Sequence, residues 1–136
     1  MVFQGTGSGE FLEGTGWEDI LYGLGGDDTL YGWAGNDTLK GGAGSDRMYG
    51  GTGSDTYLFG RGSGQDIIHE WEERAGDLDV LQFAADVMPT DVALRRYWDD
   101  LHLTIDGTTD ELAIQGYFAG TAYGMEKVRF ANNTVW

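Results

Sequence analysis

The chain has 136 residues, a formal net charge of −15, 24 glycines, one proline and no cysteine. So acidic a chain is excluded from nucleic-acid binding, because phosphates are neutralised by Lys and Arg, and it is repelled by anionic membrane surfaces. The lack of cysteine removes disulfides and thiolate metal sites, and glycine without a strict three-residue period excludes collagen.

The first ten residues, MVFQGTGSGE, contain neither a basic region nor an apolar run, so no N-terminal signal peptide is expected. No stretch is apolar for long enough to span a membrane. From Gly5 the glycines fall on a nine-residue period, in windows 5–13 (GTGSGEFLE), 14–22 (GTGWEDILY), 23–31 (GLGGDDTLY), 32–40 (GWAGNDTLK), 41–49 (GGAGSDRMY) and 50–58 (GGTGSDTYL). The first position is always Gly. The fourth is Gly26, Gly35, Gly44 and Gly53 in the last four windows. The sixth is acidic throughout: Glu10, Asp19, Asp28, Asp37, Asp46 and Asp55. The eighth is apolar or aromatic: Leu12, Leu21, Leu30, Leu39, Met48 and Tyr57. After a slip at Phe59-Gly60, a seventh unit follows, with Asp66 in the acidic slot and Ile68 in the apolar one.

A glycine-rich hexad can turn tightly, since glycine accepts φ > 0. The next three residues form a short strand with its middle side chain inward. Two windows then make one coil, and stacked coils give two parallel sheets around a thin apolar interior. Window n lies beside window n+2, which pairs Asp19 with Asp37, Asp28 with Asp46, Asp37 with Asp55, and Asp46 with Asp66. Carboxylates brought together in tight turns repel one another. Ca²⁺ relieves this, since it accepts six to eight oxygens in flexible geometry and turns supply carbonyls. Mg²⁺ holds its waters, and Zn²⁺ prefers His or Cys, which the turns lack.

GGAGSDRMY and GGTGSDTYL match G-G-x-G-x-D-x-U-x, and the two preceding windows match with one substitution each, at the second position. These residues resemble the nonapeptides of the repeats-in-toxin (RTX, haemolysin-type calcium-binding) family. The resemblance implies an all-β fold, a parallel β-roll over residues 5–69 with several Ca²⁺ ions between successive turns. It implies ligand roles for Asp19, Asp28, Asp37, Asp46, Asp55 and Asp66. Carbonyls of Gly23, Gly25, Gly32, Ala34, Gly41, Ala43, Gly50 and Thr52 complete the implied set. Ser8 and Trp17 replace the fourth-position glycine, and Glu10 replaces Asp, so an irregular first coil with a weak site at Glu10 is expected.

Beyond Glu70 glycine thins out and alternating segments predict strands at 79–83, 92–97, 101–105, 111–114 and 127–130. Asp106-Gly107 is a turn signal, residues 134–136 can close the sheet, and 116–118 are the one candidate for a helical turn. GSGQDII, DVLQF, DLHLTI, LAIQGYF and EKVRFANNTVW resemble the region that follows RTX repeats in exported bacterial proteins, adenylate cyclase toxin among them. That resemblance implies that residues 70–136 are a small β-rich capping region over the open end of the roll.

His69 and His102 are expected on strand surfaces rather than around zinc. The acidic cluster Glu70, Glu72, Glu73, Asp77 and Asp79 reads as a solvated face, with an auxiliary calcium site as its alternative. Trp71, Tyr97, Trp98, Tyr117, Phe118 and Trp136 read as the cap's core rather than a sugar platform. With no Ser-His-Asp arrangement and no thiol nucleophile, the chain is expected not to be an enzyme. The expected function is a calcium-driven folding switch in a monomeric secreted protein, unfolded at cytosolic calcium and folded outside. The family resemblance implies the type I secretion apparatus as a partner, with an uncleaved C-terminal signal. The alternative is a calcium-stabilised glycan- or surface-binding module presenting Tyr22, Tyr31, Trp33 and Tyr49.

Overall fold

The computed structural model describes residues 1–69, 77–117 and 127–136. Its strands are β1 (Val2–Gln4), β2 (Phe11–Glu13), β3 (Ile20–Gly25), β4 (Thr29–Ala34), β5 (Thr38–Ala43), β6 (Arg47–Thr52) and β7 (Thr56–Phe59). There follow β8 (Gln65–His69), β9 (Val80–Phe83), β10 (Val92–Tyr97), β11 (Asp100–Ile105), β12 (Glu111–Gln115) and β13 (Lys127–Arg129). The fold is all-β; a 3-10 turn at Pro89–Asp91 is the sole helical element among the described residues. That turn was not anticipated. Gly116 and Tyr117 make a simple turn, while Phe118 lies outside the described residues.

From β1 to β9, odd and even strands separate into two sheets, as nine-residue half-coils require. A six-stranded sheet runs β1-β3-β5-β7-β9-β13, parallel throughout. A seven-stranded sheet runs β10-β11-β12-β8-β6-β4-β2, parallel from β12 to β2 and antiparallel in the β10-β11-β12 meander. Each repeat strand puts its eighth-position side chain between the sheets. Leu21, Leu30, Leu39, Met48 and Ile68 are wholly inaccessible, and Tyr57 nearly so. Tyr57 also carries a polar atom inward, where its hydroxyl accepts the Gly50 N–H at 2.9 Å.

Strand pairing crosses from the repeats into the second segment on both sheets. Thr56 of β7 faces Val80 of β9, and Gln65 of β8 faces Glu111 of β12. The open end of the interior is filled by Phe59, Phe83, Val87, Leu101, Leu103, Ile105, Leu112, Ile114, Val128 and Phe130. Phe83 and Phe130 stack at 4.9 Å, and Trp136 meets Phe130 edge-on at 4.7 Å. The last residues do close the sheet, with Val135 bridged to Arg129.

The expected aromatic core of the cap is corrected. Tyr97 is 47% exposed, Trp98 92% and Trp136 44%, while Tyr117 packs at the core's margin. Tyr97 lies on β10, the outermost strand of its sheet, and Trp98 sits at the tip of the β10-β11 hairpin with φ of 56°. Among the described residues neither place has a second layer to pack against. Trp71 and Phe118 lie outside the described residues.

Candidate metal centres

The sixth-position carboxylates form two rows, one along each edge of the roll. In the first, the Asp19 N–H donates to Asp37 Oδ1 at 2.8 Å, the Asp37 N–H to Asp55 Oδ1 at 2.8 Å, and the Asp55 N–H to Asp79 Oδ1 at 2.7 Å. In the second, Glu10 donates to Asp28 at 2.8 Å, Asp28 to Asp46 at 2.8 Å and Asp46 to Asp66 at 3.0 Å. The four pairings expected from the period are all present. Backbone ladder bonds hold each rung: Thr56 N–H to Asp37 O at 2.8 Å, and Ile67 N–H to Asp46 O at 2.8 Å.

Each carboxylate thus has one oxygen tied to a neighbouring amide. The other is left over. Among the described residues, Oδ2 of Asp28, Asp37, Asp46, Asp55 and Asp66 is buried with no hydrogen-bond partner. Leaving a buried charged oxygen unsatisfied is costly. Those of Asp28, Asp37, Asp46 and Asp55 turn under the first glycine of their own window: a Cβ on Gly23 would run into Asp28 Oδ2 and the Gly41 carbonyl oxygen. A Cβ on Gly32 would likewise meet Asp37 Oδ2 and the Gly50 carbonyl oxygen. Carboxylate and carbonyl oxygens of adjacent coils therefore converge.

Electrostatics penalise the charged form. Burial, with Asp19 and Glu18 nearby, raises Asp37 to about 6. Burial, with Asp28 nearby, raises Asp46 to about 6. Burial, with Asp79, Asp37 and Asp77 nearby, raises Asp55 to about 7. Burial, with Asp46 and Asp110 nearby, raises Asp66 to about 8. The backbone N–H on each carboxylate opposes the shift and does not overcome it.

Strand geometry sets which carbonyls are available. In a parallel strand successive carbonyls point to opposite neighbours. First-position carbonyls face the preceding coil, as Gly41 and Gly50 show. Gly23 and Gly32 sit likewise beside the carboxylates of Glu10 and Asp19. Second- and fourth-position carbonyls face the next coil: Leu24 O and Gly26 O lie against Gly42 and Gly44, and Trp33 O and Gly35 O against Gly51 and Gly53. The sequence reading missed this second group. Among its third-position candidates, Gly25, Ala34, Ala43 and Thr52 stand in the ladder, where Thr52 O accepts the Gly35 N–H at 3.0 Å. The same close approach explains the glycines, since Gly42, Gly44, Gly51 and Gly53 have φ between 93° and 122° and no room for a side chain.

The first two windows solve the problem differently. Thr15 gives its N–H at 2.6 Å and its hydroxyl at 2.8 Å to Asp19 Oδ2. Burial raises the Asp19 pKa, yet these two bonds, with the N-terminal ammonium 3.0 Å from Oδ1, bring it below the ordinary value. Thr6 likewise gives its N–H at 2.7 Å to Glu10 Oε2, and its hydroxyl to Oε1. β1 and β2 have three residues each, where β3 to β6 have six. The first coil is irregular, and Trp17 is 80% exposed.

His69 stacks on Tyr49 at 4.4 Å on the outer face of β8, and His102 pairs with Glu111 on the outer face of β11. Of the acidic cluster, Glu70, Glu72 and Glu73 lie outside the described residues, and the solvated-face reading is corrected for Asp79, which is wholly buried in the first carboxylate row. A 24-residue step from Asp55 hid it from a search at eighteen.

No three His, Asp or Glu side chains converge among the described residues. Each rung instead offers paired carboxylates and several carbonyls. An all-oxygen set rich in neutral carbonyls suits Ca²⁺ and is poor for Zn²⁺.

Comparison with known proteins agrees. The chain matches the RTX calcium-binding nonapeptide repeat (4 copies) over residues 4–39 and 34–68. It matches the haemolysin-type calcium binding protein related domain over residues 100–136. No curated protein matches it in sequence. Among solved structures it is similar to the AlgE6R3 subunit of the Azotobacter vinelandii mannuronan C5-epimerase. The identity is 28% and the TM-score 0.62, over 95% of this chain and 82% of that one. It is also similar to the AlgE6R2 subunit of the same enzyme, with 26% identity and a TM-score of 0.66 over 96% and 93%. Repeats, rows of buried carboxylates and a two-sheet roll converge on one conclusion: the chain belongs to the RTX haemolysin-type calcium-binding repeat family, and it binds several Ca²⁺ ions.

Proposed function

We propose that Asp28, Asp37, Asp46, Asp55 and Asp66, with Asp19 at the start of its row, hold Ca²⁺ between adjacent coils, and that ion binding drives folding. First-position carbonyls from one side and second- and fourth-position carbonyls from the other complete the coordination. The observation that carries this is the run of buried carboxylate oxygens with no partner. Without cations the rows repel and the thin interior offsets little of it. With cations, binding free energy becomes folding free energy. Extracellular calcium modules bind at about 10⁻⁴–10⁻³ M. The chain therefore stays unfolded at cytosolic calcium, is exported by type I secretion in that state, and folds outside as a non-catalytic unit. Far-UV circular dichroism of chelated protein during Ca²⁺ titration, with Mg²⁺ as control, tests it. A cooperative gain of β signal with Ca²⁺ alone is expected; full structure in chelator would sink the switch.

A second reading, binding of an anionic glycan, is favoured by charge segregation. The strands of the six-stranded sheet contain no Asp or Glu, although the chain carries −15 overall. Lys40, Lys127 and Arg129 point outward there, with Tyr22 in register beside Lys40. The similar subunits belong to an enzyme named for mannuronan, a polyuronate. Tyr31, Trp33 and Tyr49 are on the opposite sheet, so the four aromatics form no single platform. Retention on immobilised polyuronate in saturating Ca²⁺, lost in Lys40→Glu, is expected; equal retention of both proteins would remove this reading.

A further inference from the structure

Asp79 lies beyond the last repeat, yet its surroundings copy those of the repeat aspartates. Its Oδ1 accepts the Asp55 N–H at 2.7 Å, as Asp55 Oδ1 accepts the Asp37 N–H at 2.8 Å. The following residue, Val80, donates to Asp55 O at 2.8 Å, as Thr56 donates to Asp37 O at 2.8 Å. The preceding residue, Leu78, donates to Ser54 Oγ at 2.9 Å, and Asp77 Oδ2 accepts the Gly53 N–H at 3.1 Å. The second segment has thus laid one more rung on the first carboxylate row.

The space between the two rungs carries an independent sign of a missing ligand. Asp55 is 1% exposed, and its Oδ2, which lies under Gly50, has no hydrogen-bond partner among the described residues. Asp79 itself is wholly buried. Two carboxylates enclosed in one turn stack without a cation repel each other strongly.

We propose that Asp55 and Asp79 hold a further Ca²⁺ ion, one whose ligands come half from the repeats and half from the segment after them. This site rests on the reading that the turn carboxylates bind Ca²⁺. Its consequence is distinct: the ion fastens β9 onto β7, and through β9 fastens β13 and the Phe83–Phe130 stack. Closing the open end of the roll then becomes a calcium-dependent step.

The wild-type chain, labelled with ¹³C at Asp carboxyls, tests this by NMR when bound Ca²⁺ is exchanged for Cd²⁺, an ion of similar size. A carboxyl that ligates the ion changes shift on exchange. Asp79 is expected to respond as Asp37 does. If Asp37 responds and Asp79 does not, the Asp55–Asp79 site is overturned and the repeat sites stand. If neither responds, the turn-site reading falls and this site with it. Asp79→Asn keeps the Oδ1 acceptor and supplies the second arm. The variant is expected to bind one Ca²⁺ fewer than wild type by atomic analysis after dialysis. It is also expected to lose amide-exchange protection at β9 and β13 while keeping it at β3–β6. An unchanged ion count in a folded Asp79→Asn protein overturns the site.

Discussion

The amide of Asp37 donates to Oδ1 of Asp55, eighteen residues along the chain, at 2.8 Å. This bond joins two coils and fixes one oxygen of the Asp55 carboxylate, as the Asp19 N–H fixes Oδ1 of Asp37, so that the second oxygen of each must find a cation or remain unsatisfied. Asp37→Asn keeps the Oδ1 acceptor and removes the charge. The loss of one charged ligand is worth roughly 1.5–3 kcal/mol. We expect the Ca²⁺ midpoint for folding to rise at least about tenfold, with a shallower transition, in a circular-dichroism titration. An unchanged midpoint would exclude Asp37 as a ligand.

The same rows set the behaviour of the metal-free chain with pH. Asp37 and Asp46 are raised to about 6, Asp55 to about 7 and Asp66 to about 8. A carboxylate raised in the fold favours folding while it is protonated. That contribution is complete below the unfolded value and is lost as pH rises through the folded one. In chelator, β structure should therefore grow as pH falls from about 8 towards about 4, the window between the folded and unfolded values. Calcium-loaded protein should do the reverse, because ligands must be ionised to bind. Far-UV circular dichroism against pH in chelator, and urea midpoints against pH in saturating Ca²⁺, decide it; parallel trends would contradict the argument.

Leu24 and Trp33 occupy the second position of their windows with φ of 79° and 80°, where Gly42 and Gly51 stand in the next coil with φ of 93° and 95°. Left-handed backbone costs a residue with a Cβ about 1–2 kcal/mol. Glycine's larger unfolded-state entropy returns part of the gain. Leu24→Gly should stabilise the calcium-loaded protein by about 0.5–1 kcal/mol, read as a higher Tm. Trp33→Gly should gain less, because it gives up the stack on Tyr31 at 5.6 Å. A lower Tm for Leu24→Gly would show that its exposed side chain does more than occupy a strained position.

Thr15 supplies two hydrogen bonds to Asp19 that no later window provides within itself. Thr15→Val removes the hydroxyl and keeps the N–H. The expected cost is about 1 kcal/mol, typical of one such bond, together with a rise in the Asp19 pKa measurable by carboxyl ¹³C titration. An Asp19 titration unmoved by the change would mean that Thr15 is not what lowers it.

Much of this molecule was legible in its residues. The nine-residue period carries its own geometry: glycines where turns need them, one inward side chain per window, and an acid at a fixed place. From these follow the coil, the pairing of window n with n+2, and the meeting of Asp28 with Asp46 or Asp37 with Asp55. Strands 92–97 and 111–114 and the turn at Asp106-Gly107 were also readable from alternation and turn chemistry.

Tertiary structure decided the rest. Periodicity fixes which residues stack but not which way a carbonyl points, so the direction of Leu24 O and Gly26 O emerged only from the ladder. Composition marked Tyr97 and Trp98 as apolar and could not say that their hairpin forms the edge of the sheet. Asp79 joined the carboxylate row only when β9 paired with β7 across a step that no repeat predicts. A local pattern dictates local conformation and short-range register, because its energies are local. Where a distant strand lands depends on which edge is open and which interior is unfilled, and those are properties of the folded whole.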